Sequence, residues 1–162
     1  MRWLVRVWVL AGCGGSGSDT STADSGADEV QTIVLRSAGT ACLFGGAVPG
    51  SSESDTSFTA DAPISARAVL EDCASGCAEA ITASCEIRLV GDEVVVDADA
   101  SYEIPTGDAS CVSMCVEIAA TCEGDGLAAG DWTLDYDGGH SDTFAVPGTV
   151  APPCATSLQP PR

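Results

Sequence analysis

The chain has 162 residues and a formal net charge of −18, with 24 acidic side chains set against six arginines and no lysine. A charge of this sign repels nucleic acid and anionic lipid, and because phosphate contacts dominate nucleic-acid affinity it excludes DNA or RNA as a partner. Hydrophobic residues make up 45% of the chain, but many are alanine, so the predicted core is thin.

Met1-Arg2-Trp3-Leu4-Val5-Arg6 is a positively charged start, Val7-Trp8-Val9-Leu10 is apolar, and Ala11-Gly12 are small residues of the kind that precede export cleavage sites. The apolar stretch is too short for a transmembrane helix, which needs about 20 residues. Leu10-Ala11-Gly12-Cys13 resembles the lipobox of bacterial lipoproteins: an aliphatic residue, two small residues and a cysteine. The resemblance covers residues 1–13. It implies a signal peptide over 1–12, lipidation of Cys13 and attachment to a membrane through that lipid. Gly14 stands where an inner-membrane retention signal commonly shows aspartate, so the likeness favours the outer membrane, with the protein facing the periplasm or the surface.

Residues 13–29 form the lipidated cysteine and an acidic Gly/Ser/Thr/Asp tether without aromatic or large aliphatic residues, the composition of a flexible linker. Beyond Cys13, 24 acids face four arginines, a net of −20. Residues 30–157 are long enough for one domain, and 158–162 form a tail. Without Cys13, eight cysteines remain: Cys42, Cys73, Cys77, Cys85, Cys111, Cys115, Cys122 and Cys154. In an exported chain an even set reads as a disulfide framework. Zinc fits less well, because the paired spacing leaves three intervening residues and His140 is the only histidine.

The predicted strands, in chain order, begin with Gln31–Arg36 and Ser65–Glu71. Cys73-Ala-Ser-Gly-Cys77-Ala-Glu79 then recurs as Cys111-Val-Ser-Met-Cys115-Val-Glu117, and Ala83-Ser84-Cys85-Glu86 as Ala120-Thr121-Cys122-Glu123. This duplication predicts two equivalent corners, each stapled and each followed by a hairpin. Cys42 and Cys154 flank the pair and form the tempting closure, though eight cysteines allow 105 connectivities. Cys73 and Cys77 would share a face if helical, and Ala78–Ser84 is open to a helical turn as well as a strand.

A type II′ turn at Gly91-Asp92 predicts a hairpin pairing Leu89 with Val94, Ile87 with Val96 and Cys85 with Ala98. Glu86, Arg88, Glu93 and Asp97 then share the opposite face. After a strand over Val116–Glu123, a second hairpin is predicted with a three-residue loop, Gly138–His140, pairing Leu134 with Phe144 and Trp132 with Val146. Leu127-Ala-Ala-Gly130-Asp-Trp132 resembles the turn and late strand of immunoglobulin-like modules, with Trp132 where a tyrosine corner would stand. That corner bond is therefore not carried over. The fold class is all-β: a single disulfide-rich, immunoglobulin-like β-sandwich with short irregular or helical cysteine loops.

His140, near Asp135, Asp137 and Asp142, is a weak metal candidate at a predicted hairpin tip, and the segment lacks the ligand order of an EF-hand loop. Asp97 and Asp99 alternate on one strand and read as charges protecting a sheet edge rather than as an acid–base pair. With one histidine and its cysteines assigned to disulfides, the chain offers no catalytic nucleophile with a base, and no enzymatic role or cofactor is predicted. The function expected is a non-enzymatic binding or structural module of the envelope, its partner an envelope or extracellular protein or a glycan. Two rivals are a calcium-dependent binding module and a disulfide-rich inhibitor or effector acting on a partner protein.

Overall fold

The computed structural model describes residues 30–48, 56–106, 111 and 114–158. The expected signal peptide, Cys13 and the tether lie outside the described residues. Twelve strands occur among those residues and no helix. They are β1 (Val30–Arg36), β2 (Thr40–Gly45), β3 (Thr56–Phe58), β4 (Ile64–Ala74), β5 (Glu79–Val90), β6 (Glu93–Pro105), β7 (Val116–Gly124), β8 (Gly130–Tyr136), β9 (Gly139–His140), β10 (Phe144–Val146), β11 (Gly148–Val150) and β12 (Cys154–Thr156).

Two large sheets and a short antiparallel ladder of β3 and β11 enclose the core. One has the order β12-β2-β4-β7, entirely antiparallel. The other is organised on the long strand β6, which pairs antiparallel with β5 along its length. Beside β6 on other registers lie β8, parallel at Glu93 to Val95, and β1, antiparallel at Asp99 to Pro105. The inward-facing positions follow the period of two that a half-buried strand requires: Ala66, Ala68 and Leu70 on β4, and Val94, Val96, Ala98, Ala100 and Tyr102 on β6 are all buried. Residues of both sheets join in one hydrophobic cluster. The molecule is thus an all-β, disulfide-rich β-sandwich.

The duplication folds as an exchange between its two copies. β4, ahead of the first copy, pairs with β7 of the second; β6, ahead of the second copy, pairs with β5 of the first. Cys122 lies opposite Ala66 and Cys85 opposite Ala98, so the two ladders place equivalent residues at equivalent sites. The bridges obey the same symmetry. Cys73–Cys115 and Cys77–Cys111 interconvert when the copies are swapped, and Cys85–Cys122 maps onto itself. The two equivalent corners are thus stapled to each other, since every bridge of the repeat crosses between copies, and a hairpin follows each: β5–β6 after the first and β8–β9 after the second.

Cys42–Cys154 joins directly opposed residues of β2 and β12. Their in-strand neighbours Ala41, Leu43 and Ala155 are buried, so this bridge stands on the solvent face of its sheet.

The first hairpin has the expected register, Leu89 opposite Val94, Ile87 opposite Val96 and Cys85 opposite Ala98. Gly91, at φ +66, supplies the positive first position of the turn. The second hairpin differs from expectation. Its turn is Asp137-Gly138, both at positive φ (51 and 76), as a type I′ turn demands, and it pairs Tyr136 with Gly139. Ser141 to Thr143 then leave the ladder, and pairing resumes with Trp132 opposite Phe144 and Gly130 opposite Val146. The irregular segment restores Phe144 and Val146 to the buried face, the requirement on which the three-residue loop had been preferred.

Ala78–Ser84 contains no helical turn. From Glu79 on its residues form the start of β5, with Ala80 at φ 50 where the ladder shifts register between Glu79 and Thr82.

Candidate functional site

On the solvent face of the β6 sheet, three strands bring residues far apart in sequence into two rows. Val34, Ser101 and Thr82 form one; Arg36, Asp99 and Ser84 form the next. Together they line a shallow groove of about 510 Å³. These side chains share a face because outward positions on β1, β5 and β6 alternate with the buried ones, and the ladders hold the alternation in phase. Thr82 Oγ1 and Ser101 Oγ are hydrogen-bonded at 2.8 Å. Asp99 was expected to protect a sheet edge. It stands instead on the solvent face of β6, which has neighbours on both sides, and lines the groove with Arg36 and Ser84.

The charges beside the groove are partly matched. Arg88 forms an ion pair with Asp97 through Nη2, and its Nε donates to the same carboxylate oxygen at 3.0 Å. That hydrogen bond, followed by the attraction of Asp97, raises the guanidinium pKa above its usual value. On the other sheet Arg67 pairs with Glu117. Arg36 belongs to neither of the ion pairs found among the described residues. The groove therefore offers hydroxyls, one cation and one carboxylate on a flat surface: hydrogen-bonding capacity for a polar ligand, with no imidazole in its lining.

His140 lies in β9 opposite Asp135, two residues past the turn rather than at its tip. The nearby acids are engaged locally. Asp135 Oδ1 accepts the Gly138 N–H at 2.8 Å and Asp137 Oδ2 accepts the Ser157 hydroxyl at 3.0 Å, whereas Asp142 is exposed. Among the described residues no three His, Cys, Asp or Glu side chains gather as metal ligands. All eight cysteines beyond Cys13 are joined in four disulfides. Two of these, Cys73–Cys115 and Cys77–Cys111, staple one end of the sandwich, where Met114 is 69% exposed.

Trp132, which stands where the tyrosine corner would, makes a bond of the same kind: its Nε1 donates to the Ala128 carbonyl, four residues upstream, at 2.9 Å. Fully buried Tyr136 donates to the Ala38 carbonyl at 2.6 Å and ties β8 to the β1–β2 connection. The groove itself was missed in the sequence. Its rows unite positions in the thirties, eighties and around 100, and no local spacing signals that union. In comparisons with known proteins, the chain matches no protein-family model, no curated protein and no solved structure.

Proposed function

We propose that this protein is a lipoprotein of the bacterial envelope, held by a lipid on Cys13, whose β-sandwich serves as a non-enzymatic binding or structural module. One observation carries the reading: eight cysteines pair among themselves, which leaves Cys13, at the end of Leu10-Ala11-Gly12-Cys13, as the ninth and odd one. Four disulfides are compatible with an extracytoplasmic location, where such bonds form and persist. Each buried methylene contributes ~0.8 kcal/mol, so two or more acyl chains on Cys13 anchor the protein stably. Gly14 directs it to the outer membrane in a two-membrane cell. The acidic domain is repelled by the anionic surface to which its own lipid holds it, and so stands away from the headgroups.

The groove over Thr82, Ser84, Ser101, Arg36 and Asp99 supports a polar ligand, an envelope or extracellular protein segment or a glycan. The test is metabolic labelling with a palmitate analogue in a bacterial host. The wild-type chain takes up the label and fractionates with membranes; Cys13→Ala loses the label and is released to the soluble fraction. Undiminished labelling of Cys13→Ala would refute the proposal.

A further inference from the structure

Every sheet edge presents unpaired N–H and C=O groups, and natural proteins blunt them with short strands, charges, prolines, bulges or covering elements. Among the described residues one long edge has none of these devices but a single charge, Arg36 at its end. β5 carries Glu79 and Glu86, a register shift near Ala80, and a disulfide to β7. β7 carries Glu117 and Glu123 and pairs through a ladder with two irregularities. β3, β10, β11 and β12 have three residues each. β1 runs seven residues, VQTIVLR, with no proline, no acid and no bulge, and pairs only with β6 among the described residues. Val30 and Val34 are 52% and 56% exposed. In a chain with 24 acids, no acid occurs from Val30 to Ser52.

The orientation of the free groups follows from one bond. The Ser37 N–H donates to the Ala98 carbonyl on β6. Across the planar trans peptide the Arg36 carbonyl therefore points away from β6. By alternation along the strand, the N–H and C=O of Val30, Thr32, Val34 and Arg36 face outward, while those of Ile33 and Leu35 face β6.

We propose that β1 is a self-association edge, pairing antiparallel with β1 of a second copy so that two β6 sheets become continuous. The strand is self-complementary about Ile33. Thr32 of each copy then lies opposite Val34 of the other, and Val30 opposite Arg36. The four outward-facing residues of each strand supply about eight main-chain hydrogen bonds. At the dyad the two Ile33 side chains, each half-buried against its own core, meet across a non-hydrogen-bonded pair, where side chains approach most closely. The opposed strands carry no acid, and the cation that each brings, Arg36, is, among the described residues, the arginine that forms no ion pair. Elsewhere on these copies, net charge opposes contact. Association is accordingly weak at low salt and strengthened by screening.

The test measures the mass of the full chain, with its disulfides intact, by light scattering over micromolar to millimolar concentration at about 0.15 M and about 1 M NaCl. A dimer populated with rising concentration and favoured by salt is expected. Val34→Pro removes an outward N–H and leaves the ladder to β6 intact, as an edge strand permits; its dissociation constant rises at least tenfold with the circular dichroism unchanged. Amide exchange of the wild type gives a second readout. The Thr32 and Val34 amides exchange rapidly when dilute and slow as the dimer forms, whereas Ile33 and Leu35 are protected throughout. A wild type monomeric at millimolar concentration and high salt, a dimer indifferent to Val34→Pro, or Thr32 and Val34 amides protected only after addition of another protein would each overturn self-pairing.

Discussion

Removing the Cys42–Cys154 bridge tests how this domain obtains its stability. Both sulfurs stand on a solvent face, so a Cys42→Ser, Cys154→Ser double variant opens no core cavity, and the loss falls on the unfolded state. The bridge spans 112 residues of chain. With Cys73–Cys115 in place, the covalent path from Cys42 to Cys154 shortens to about 70 residues, for which loop-closure entropy gives about 4 to 5 kcal/mol. The Cys73–Cys115 bridge offers the contrast. Given Cys77–Cys111 beside it, it closes a ring of only about ten residues and contributes about 2 to 3 kcal/mol. Urea unfolding of the non-reduced proteins measures both. The 42/154 variant should lose more stability and show the larger rise in m, because its unfolded chain opens further. A loss below about 1 kcal/mol, or equal losses for the two double variants, would refute the entropic account.

Both tyrosines of the chain, Tyr102 and Tyr136, are buried, and burial raises each phenol pKa, with Glu71 adding to the shift at Tyr102 and Asp137 at Tyr136. In the unfolded chain phenols ionise near pH 10. Above that pH the unfolded state gives up protons that the fold retains, so stability is full below about pH 10 and then falls by ~1.4 kcal/mol per pH unit for Tyr136. The tyrosinate absorbance of Tyr136 should appear only with alkaline unfolding, and Tyr136→Phe, which strands the Ala38 carbonyl, should cost about 1 to 3 kcal/mol at neutral pH. Ionisation of both phenols near pH 10 in the folded protein would contradict this. Two glycines separate space from backbone conformation. Gly91→Ala meets nothing within 4 Å but must hold φ +66, and should cost about 1 kcal/mol; Gly139→Ala drives its Cβ into the Thr156 carbonyl oxygen and should cost about 3 kcal/mol in denaturant melts.

Elements whose information is local were legible in the chain alone. Alternation placed Gln31–Arg36, Ser65–Glu71 and Val116–Glu123 in strands, and Gly91-Asp92 set one hairpin register residue by residue, because a two-residue turn leaves the chain one way to pair its apolar face. At Asp137-Gly138 the same logic was present, since Asp-Gly suits a type I′ turn. The hydrophobic pattern of Phe144 and Val146 pulled the expected register elsewhere, because a sequence does not reveal that Ser141 to Thr143 step out of the ladder. Cysteine parity indicated four bridges. Which cysteines meet was decided only at the level of the tertiary structure, since the bridges between the copies depend on β4 crossing to β7, whose paired residues lie about 42 to 60 positions apart. The groove and the open edge of β1 belong to the same class. They exist because β1 lies beside β6 with nothing described beyond it, and no window of sequence contains both strands.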